Sequence, residues 1–182
     1  MRIISGSHKS RKISPPKNLP VRPTTDMAKE ALFNILDNNF NFDEIVVLDL
    51  FAGTGSISYE FASRGALGVT SVDTELRCVD FIRKTSKDLG FDAVLAFRSD
   101  AFRYLQNTQN IYDIIFCDAP YDLVGIDAIP EIVIERKLLK PGGWLILEHS
   151  GKANYSKMTG FLQHRHYGSV NFSIFTTPEI QE

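Results

Sequence analysis

From Ile45 onward, short apolar runs alternate with longer amphipathic stretches, and the two patterns predict different elements. Short uninterrupted apolar runs are typical of strands in a parallel sheet that is covered on both faces. Such runs predict strands at 45–50, 68–72, 93–97, 112–117 and 144–148. Apolar positions at helical spacing between them predict helices at 56–64, 75–89, about 102–105 and about 129–139. This alternation of strands and helices predicts an α/β fold with a doubly wound, mostly parallel sheet.

The two ends of the chain depart from this alternation. Two short strand-like runs, 166–170 and 172–176, predict an antiparallel hairpin that closes the C-terminal edge of the sheet. Residues 1–23 contain four prolines, which exclude a long helix. Short extended pieces are therefore predicted there, with Ile3-Ile4 and Lys12-Ile13 as candidates.

A first helix is predicted from residue 26, because Thr24-Thr25-Asp26 combines a hydroxyl cap with an acid in the first turn. Its predicted apolar face consists of Met27, Ala28, Ala31, Leu32, Ile35 and Leu36. We expect residues 1–25 to form a basic arm or small extended subregion, and residues 26–182 to form the main domain.

Basic residues are concentrated at the start of a chain whose net charge is −2. The first 25 residues contain no Asp or Glu, and their basic residues are Arg2, Lys9, Arg11, Lys12, Lys17 and Arg22. The remainder of the chain is therefore clearly acidic. A basic arm on an acidic body is expected of a protein that contacts nucleic acid, although a solvated leader segment has the same composition.

Cysteine usage and hydropathy predict a cytoplasmic protein. No apolar stretch approaches the ~20 residues that span a membrane, and the first residues lack the pattern of a secretion signal. Cys78 and Cys117 fall inside a predicted helix and a predicted strand, without the spacing of metal ligands. We therefore expect both cysteines to be packing residues in a reduced environment, and we expect no metal site. A monomer is the default expectation for the oligomeric state.

The stretch 46–56 carries the main candidate site, since an apolar strand with Asp49 is followed by Gly53, Gly55 and a helix start. In an open α/β sheet such a turn lies at the carboxyl edge of the strands, where ligands bind. Glycines there allow positive φ and a close approach of the ligand to the backbone. Aspartates follow at three further strand ends, at Asp73, Asp100 and Asp118. A single such aspartate is better explained as a helix cap, but four would line a crevice with acceptors for hydroxyl and amino groups.

Two phosphate-binding sites are the rival interpretations of this turn. The dinucleotide fingerprint needs a third glycine, but Ser58 occupies that position, and Asp49 would face a pyrophosphate unfavourably. A P-loop needs a Gly-Lys-Ser/Thr sequence, which does not follow. The turn therefore favours a nucleoside ligand that has a charged amino group and no phosphate.

Several segments together resemble a known family. Asp49-Leu50-Phe51-Ala52-Gly53-Thr54-Gly55 resembles the first motif of class I S-adenosylmethionine-dependent methyltransferases. Asp118-Ala119-Pro120-Tyr121 resembles the D/N-P-P-Y/F motif of members that methylate exocyclic amino groups of bases. Arg2-Ile3-Ile4-Ser5-Gly6, Lys9-Ser10-Arg11-Lys12 and Arg22-Pro23-Thr24-Thr25-Asp26 are similar to the RsmD family, bacterial guanine-N2 methyltransferases of 16S ribosomal RNA. The resemblance covers nearly the whole chain and implies a Rossmann-like class I methyltransferase fold.

The resemblance implies S-adenosylmethionine as cofactor and 16S rRNA or the small ribosomal subunit as partner. The implied cofactor-binding residues are Asp49, Phe51, Gly53, Gly55, Asp73, Asp100, Ala101 and Phe102. Among them, Asp49 would receive the ammonium, Asp73 the ribose hydroxyls and Asp100 the adenine amino group, while Phe102 fits a core position equally well. The implied RNA-binding residues are Arg2, Lys9, Arg11, Lys12, Arg22 and Thr24, with Arg22 beside the target or on a phosphate.

The implied catalytic residues are Asp118, Ala119, Pro120 and Tyr121. The lone pair of an exocyclic amine is delocalised into the base, so the carboxylate of Asp118 and the carbonyl of residue 119 would have to hold the nitrogen in line with the methyl group. Tyr121 would stack on a base taken out of its RNA stack. Ala119 departs from the motif, which usually has proline there, and we expect a less rigid loop but an active site.

Two alternatives to guanine-N2 methylation remain open from the sequence. The same loop chemistry serves methylation of adenine N6 in DNA or of a protein glutamine amide, although 182 residues leave little room for a recognition domain. A weakly active ribosome-assembly factor is the other alternative, and Ala119 is the residue that suggests it.

Overall fold

A single twisted sheet organises the part of the chain that the computed structural model describes, which is residues 1–17, 19 and 25–177. Its strands in chain order are β1 (Val46–Leu50), β2 (Gly68–Asp73), β3 (Val94–Arg98), β4 (Tyr112–Cys117), β5 (Leu139–His149), β6 (Phe161–Tyr167) and β7 (Val170–Thr176). The order across the sheet is β3-β2-β1-β4-β5-β7-β6. The first five strands pair in parallel, and β7 pairs antiparallel with β5 and with β6. The predicted doubly wound sheet with an antiparallel C-terminal edge is confirmed.

Helices cover both faces of this sheet. They are α1 (Asp26–Asp37), α2 (Ser56–Ser63), α3 (Leu76–Leu89), α4 (Ala101–Asn107) and α5 (Ile129–Glu135), with short 3₁₀ turns at Phe42–Glu44 and Ile126–Ala128. Consecutive β1 residues, Val47 and Leu48, lie in two different apolar clusters, one on each face of the sheet. Every β1 side chain from Val47 to Leu50 is buried, because both faces of the strand are covered. This explains why β1 is apolar at every position except Asp49.

The predicted start of α1 is confirmed, but its predicted apolar face is partly wrong. Thr25 caps the helix by accepting a hydrogen bond from the amide of Ala28 at 3.2 Å. Met27 is 64% exposed, whereas Phe33 and Lys29 are buried. Periodicity alone could not assign Lys29 to the inside, because its burial depends on partners that other segments supply.

The boundary between α5 and β5 was predicted wrongly from the sequence. The helix expected to reach residue 139 ends at Glu135, and Lys137 then takes a left-handed φ of 53°. Leu139 already pairs with Tyr112, and the register shifts before Trp144 pairs with Ile114. The Pro-Gly-Gly segment therefore lies within an irregular strand. Pairing with β4 extends β5 back to Leu139, and this pairing could not be predicted from the local sequence.

The C-terminal hairpin is confirmed, but its first strand lies earlier than predicted. It runs from Phe161 to Tyr167, and the chain turns at Gly168, whose φ is 61°. β6 is an edge strand with mostly exposed polar side chains, so it lacks the apolar run that a buried strand shows.

Residues 1–13 form a small hairpin that packs against α1 and α2. Arg2 and Lys12 make an antiparallel bridge, and Ile3 and Ile13 are buried in the main core. Gly6 has a φ of +82°, and a Cβ there would lie 1.8 Å from the carbonyl oxygen of Ser63, so glycine is required at this contact. The predicted short extended pieces at both ends of this hairpin are confirmed.

A buried ion pair holds the hairpin in place. Glu60 of α2, which is fully buried, accepts hydrogen bonds from the amides of Ile4 at 2.7 Å and Ser5 at 3.0 Å. The Nζ of Lys29 lies 3.8 Å from Glu60 and donates to the Arg2 carbonyl at 2.5 Å. Burial lowers the pKa of Lys29, and the charge of Glu60 opposes that change. Hydrogen bonds to every charged partner offset the cost of burying them.

Candidate active site

The turn after β1 is held in a shape that needs its glycines. Phe51, Gly53 and Gly55 have φ values of 60°, 54° and 79°. A Cβ at Gly55 would lie 2.8 Å from the ring of Tyr59 and 2.9 Å from Ile82. The amide of Ala52 donates to the carbonyl of Val72 at 3.0 Å, which ties the turn to the end of β2. The turn is therefore fixed by its own backbone before any ligand binds.

Asp49 is a buried carboxylate on the floor of the site. Its Oδ2 accepts hydrogen bonds from the amide of Ser58 at 3.1 Å and from the hydroxyl of Ser58 at 2.5 Å. Burial raises the pKa of Asp49 to about 7, with the Ser58 hydrogen bonds opposing and the nearby charge of Asp118 adding to the rise. Such a group becomes fully ionised at neutral pH when a cation lies beside it.

Asp73 links the turn to the end of β2. Its Oδ2 accepts from the amide of Gly53 at 2.8 Å, and its Oδ1 accepts from the amide of Glu75 at 2.8 Å. Each carboxylate oxygen can accept a second hydrogen bond, so Asp73 orders the turn and can still accept from a ligand hydroxyl.

One cavity of about 790 Å³ joins these groups to the loop after β4. Of the predicted site residues, it brings together Asp49, Phe51, Gly53, Asp73, Asp118, Ala119, Pro120 and Tyr121. Asp118 follows the last residue of β4, Ala119 is 2% exposed, and Tyr121 is 53% exposed. The hydroxyl of Tyr121 donates to Oε1 of Glu148 at 3.4 Å. The cavity therefore has a buried end at the β1 turn and an open end at Tyr121.

The remaining predicted cofactor residues do not line this cavity. Gly55 lies behind the turn against Tyr59, as described above. Asp100 caps α4 by accepting from the amide of Arg103 at 2.9 Å. Ala101 is buried, and Phe102 packs partly buried against the apolar cluster on the α4 side of the sheet. The structure thus places Asp100 as a helix cap and Ala101 and Phe102 as packing residues.

The predicted RNA-binding residues lie apart from the cavity or outside the described residues. Lys9, Arg11 and Lys12 are exposed on the N-terminal hairpin. Arg2 pairs with Asp26 at 3.2 Å, and both Arg2 and Lys9 border a separate polar cavity of about 350 Å³. Arg22 and Thr24 lie outside the residues that the structure describes.

The cavity also contains residues that the sequence analysis missed. Thr74 and Glu75 follow β2, Ser169 lies in the β6–β7 turn, and Val170 begins β7. Glu148, near the end of β5, is 6% exposed and also lines the cavity. Its signal was present in the sequence, since it is an acid after an apolar strand like the four aspartates. The β6–β7 turn had no comparable signal, because its place depends on an antiparallel pairing.

Three other observations complete the description of the site. The described residues contain no group of three or more His, Cys, Asp or Glu side chains that could hold a metal ion. Among them, too, no helix is both long and apolar enough to cross a membrane. Burial raises the pKa of Cys78 to about 11 and that of Cys117 well above its usual value, so both thiols stay protonated.

The described residues have a class I, Rossmann-like methyltransferase fold. Its features are the mostly parallel seven-stranded sheet and the glycine turn at the carboxyl edge of that sheet. Solved structures share this fold. The yhhF protein of Escherichia coli has a TM-score of 0.83 at 23% identity, with 97% of each chain covered. RsmC of Thermus thermophilus, a 16S rRNA N2 methyltransferase in complex with AdoMet and guanosine, has a TM-score of 0.69 at 22% identity, covering 85% of this chain and 44% of that one.

The chain belongs to the RsmD family, since the family model described as "Conserved hypothetical protein 95" matches residues 1–176. YlbH of Bacillus subtilis is 30% identical over 182 residues, covering 96% of this chain and 98% of its own. Ribosomal RNA small subunit methyltransferase D of Buchnera aphidicola (subsp. Acyrthosiphon pisum) is 34% identical, covering 82% and 78%. The protein of the same name in Escherichia coli K12 is 31% identical, covering 80% and 69%.

Proposed function

We propose that this protein transfers a methyl group from S-adenosylmethionine to the exocyclic N2 amine of a guanine in small-subunit ribosomal RNA. The observation that carries the proposal is that the Asp118–Tyr121 loop and the Asp49–Gly53 turn line one cavity. The names of the relatives, which are ribosomal RNA small subunit methyltransferases, support the rRNA substrate. The guanosine in the RsmC structure supports N2 as the chemical target in a related fold.

The residues at the buried end of the cavity fit this cofactor. When bound, S-adenosylmethionine supplies an activated methyl group on a sulfonium. Asp49 offers a carboxylate to the ammonium of its methionine portion, and a cation beside this buried group would offset the burial that raises its pKa. Gly53 lines the cavity without a side chain, and Asp73 retains acceptor capacity for ribose hydroxyls.

Asp100, Ala101 and Phe102 are proposed to hold the adenine ring, although they lie outside the cavity. The end of β3 is next to the end of β2, so these residues follow the neighbouring strand at the same edge of the sheet. The exposed carboxylate of Asp100 retains acceptor capacity beyond its one contact with Arg103.

The loop after β4 is proposed to position the target amine. The Asp118 carboxylate and the carbonyl of Ala119 accept its two N–H bonds, which turns the nitrogen lone pair toward the methyl group. The proton lost on methylation passes to an oxygen of Asp118 or to water. Pro120 fixes the loop, and the exposed ring of Tyr121 offers a stacking surface to an extruded base. Ala119 supplies the same carbonyl that proline would.

The N-terminal hairpin is proposed to hold RNA backbone. Lys9, Arg11 and Lys12 are exposed on it, and Arg2 adds positive charge to it. Arg22, which lies outside the described residues, is proposed to contact the target or a phosphate. Contacts of this kind depend on counterion release, so RNA binding through this hairpin weakens as salt concentration rises. Thr24 is proposed to lie near the target.

The test is incubation of the protein with labelled S-adenosylmethionine and undermethylated small ribosomal subunits, followed by nucleoside analysis. We expect label in N2-methylguanosine. Label only in N6-methyladenosine would refute the guanine assignment. Binding of the cofactor without transfer to rRNA would instead favour a ribosome-assembly factor.

A further inference from the structure

Glu148 and Asp118 lie side by side at the carboxyl ends of neighbouring strands. β4 and β5 pair in parallel, with Phe116 opposite Ile146 and Cys117 opposite Leu147. The next residues along the two strands are therefore Asp118 and Glu148, whose backbones are separated by about one strand spacing of 4.8 Å. Both residues line the cavity. Residues at paired positions of a sheet project to the same face, so the two carboxylates border the same space.

Glu148 is a nearly buried acid on the wall of the cavity. Its residue is 6% exposed, and a carboxylate that is removed from water needs hydrogen-bond donors to offset the cost. The Tyr121 hydroxyl donates to Oε1 at 3.4 Å, a long contact that also ties Glu148 to the ring proposed to stack on the base. A buried acid at this point of the cavity has the chemistry to recognise a donor on the substrate.

Two neighbouring carboxylates present acceptors only, and this distinguishes the bases. The Watson–Crick edge of guanine places the N1–H donor next to the N2 amine, so both carboxylates meet donors. Adenine places the N1 lone pair next to its N6 amine, and cytosine places the N3 lone pair next to its N4 amine. If Asp118 holds the amine of adenine or cytosine, the lone pair of the adjacent ring nitrogen faces the carboxylate of Glu148 and is repelled by it.

We propose that Glu148 accepts a hydrogen bond from N1–H of the target guanine and thereby selects guanine over adenine. The inference rests on the proposed function and adds a specificity residue to it. Asp118 holds the amine that is methylated, and Glu148 accepts the hydrogen bond from the adjacent ring nitrogen. The hydrogen bond from N1–H to Glu148 also prevents the base from rotating about its contact with Asp118. N2 therefore stays in line with the methyl group.

The first experiment compares Glu148→Ala, Glu148→Gln and wild type in single-turnover methyl transfer to undermethylated small subunits. Glu131→Gln is the matched control, since Glu131 is exposed and does not line the cavity. We expect Glu148→Ala to slow transfer at least about tenfold, as for loss of a specific base contact. Glu148→Gln, which keeps an acceptor oxygen, should retain more activity than Glu148→Ala. The affinity for S-adenosylmethionine should stay within about twofold of wild type in both variants, because the base contact does not involve the cofactor.

The second experiment tests N1 directly, with nucleosides as inhibitors of the same reaction at saturating S-adenosylmethionine. Guanosine has N1–H beside its 2-amine, whereas 2-aminopurine riboside has the same 2-amine beside an N1 lone pair. Wild type should be inhibited more strongly by guanosine. Glu148→Gln can turn its amide to donate to a lone pair, so the preference should shrink at least about threefold.

The outcomes separate the inference from the function on which it rests. Normal N2-methylguanosine formation by Glu148→Ala, or equal inhibition of wild type by the two nucleosides, overturns the role of Glu148 and leaves the proposed function standing. Loss of cofactor binding in both Glu148 variants also overturns the role of Glu148 in base selection, because Glu148 would then act on the cofactor or the fold. Absence of N2-methylguanosine with wild type overturns both.

Discussion

The two ends of the cavity are built in different ways. At the β1 turn, the carboxylates are engaged by backbone amides and by Ser58, and Asp49 is buried. At the β4 loop, the proposed stacking residue Tyr121 is half exposed, and Val124, three residues later, is 91% exposed. A small ligand can be enclosed by a preformed backbone, whereas a ribosomal RNA must reach its site from open solvent. The difference therefore matches the two proposed ligands, and it can be tested at each end.

The largest expected effect is at the open end. Replacing Asp118 by alanine removes an acceptor from the target amine, and we expect single-turnover transfer to fall about 100-fold or more. The affinity for S-adenosylmethionine, measured by titration calorimetry, should change by less than about threefold. Equal losses in transfer and cofactor affinity would mean that the two ends do not divide the work in this way. Glu131→Gln again provides the control.

A matched pair of glycine substitutions compares the rigidity of the two ends. Gly55→Ala places a Cβ within 3 Å of Tyr59 and Ile82 at a φ of +79°, and we expect a loss of about 2–4 kcal/mol in the free energy of unfolding. Gly125→Ala, near the β4 loop, has a φ of +88° but its nearest contact, with Phe102, is 3.8 Å. It should cost only about 1 kcal/mol. Denaturant unfolding checks both, and a reversed order would contradict the proposed rigidity of the β1 turn.

The raised pKa of Asp49 predicts that cofactor binding depends on pH. Since the ammonium favours the ionised carboxylate, affinity should rise as the pH increases from 5.5 toward 7, by up to about tenfold per unit. Binding should release a proton, which calorimetry in buffers of different ionisation enthalpy measures. Asp49→Asn should bind more weakly and show a flat profile over this range. A flat profile in wild type would show that Asp49 does not meet the cation.

The same group predicts the pH dependence of stability without cofactor. The folded pKa of about 7 lies above the unfolded value of about 3.9, so the folded protein binds more protons between these values. The contribution of Asp49 to the free energy of unfolding is therefore greatest below pH 4 and is lost as the pH rises through 7. The difference between wild type and Asp49→Asn across this range isolates that contribution.

The smallest expected effect is that of Ala119→Pro. Proline restores the usual motif and stiffens the loop while keeping the carbonyl, so transfer should be unchanged or up to a few-fold faster. The Ala119 amide, which opposes the rise in the pKa of Cys117, is lost in this variant. Markedly slower transfer would show that the loop of this protein is adapted to alanine.

Much of the site could be predicted from the sequence because it depends on local chemistry. Asp49, Gly53 and Asp73 are identified by their places after apolar strands, and parallel pairing then brings strand ends to one edge. The same reasoning includes Asp100, which caps α4 and does not line the cavity, so its contact with the adenine stays a prediction. It also passed over Glu148, whose position beside Asp118 depends on the register between β4 and β5.

The sequence by itself determined the alternation of strands and helices, the glycine turn and the proposed catalytic loop, because periodicity and backbone freedom are properties of neighbouring residues. Only the tertiary structure decided that β5 begins at Leu139, that Lys29 is buried against Glu60, and that the β6–β7 turn reaches the cavity. These features depend on pairing and burial between segments far apart in the chain. The free energy that fixes them comes from contacts that no local stretch contains.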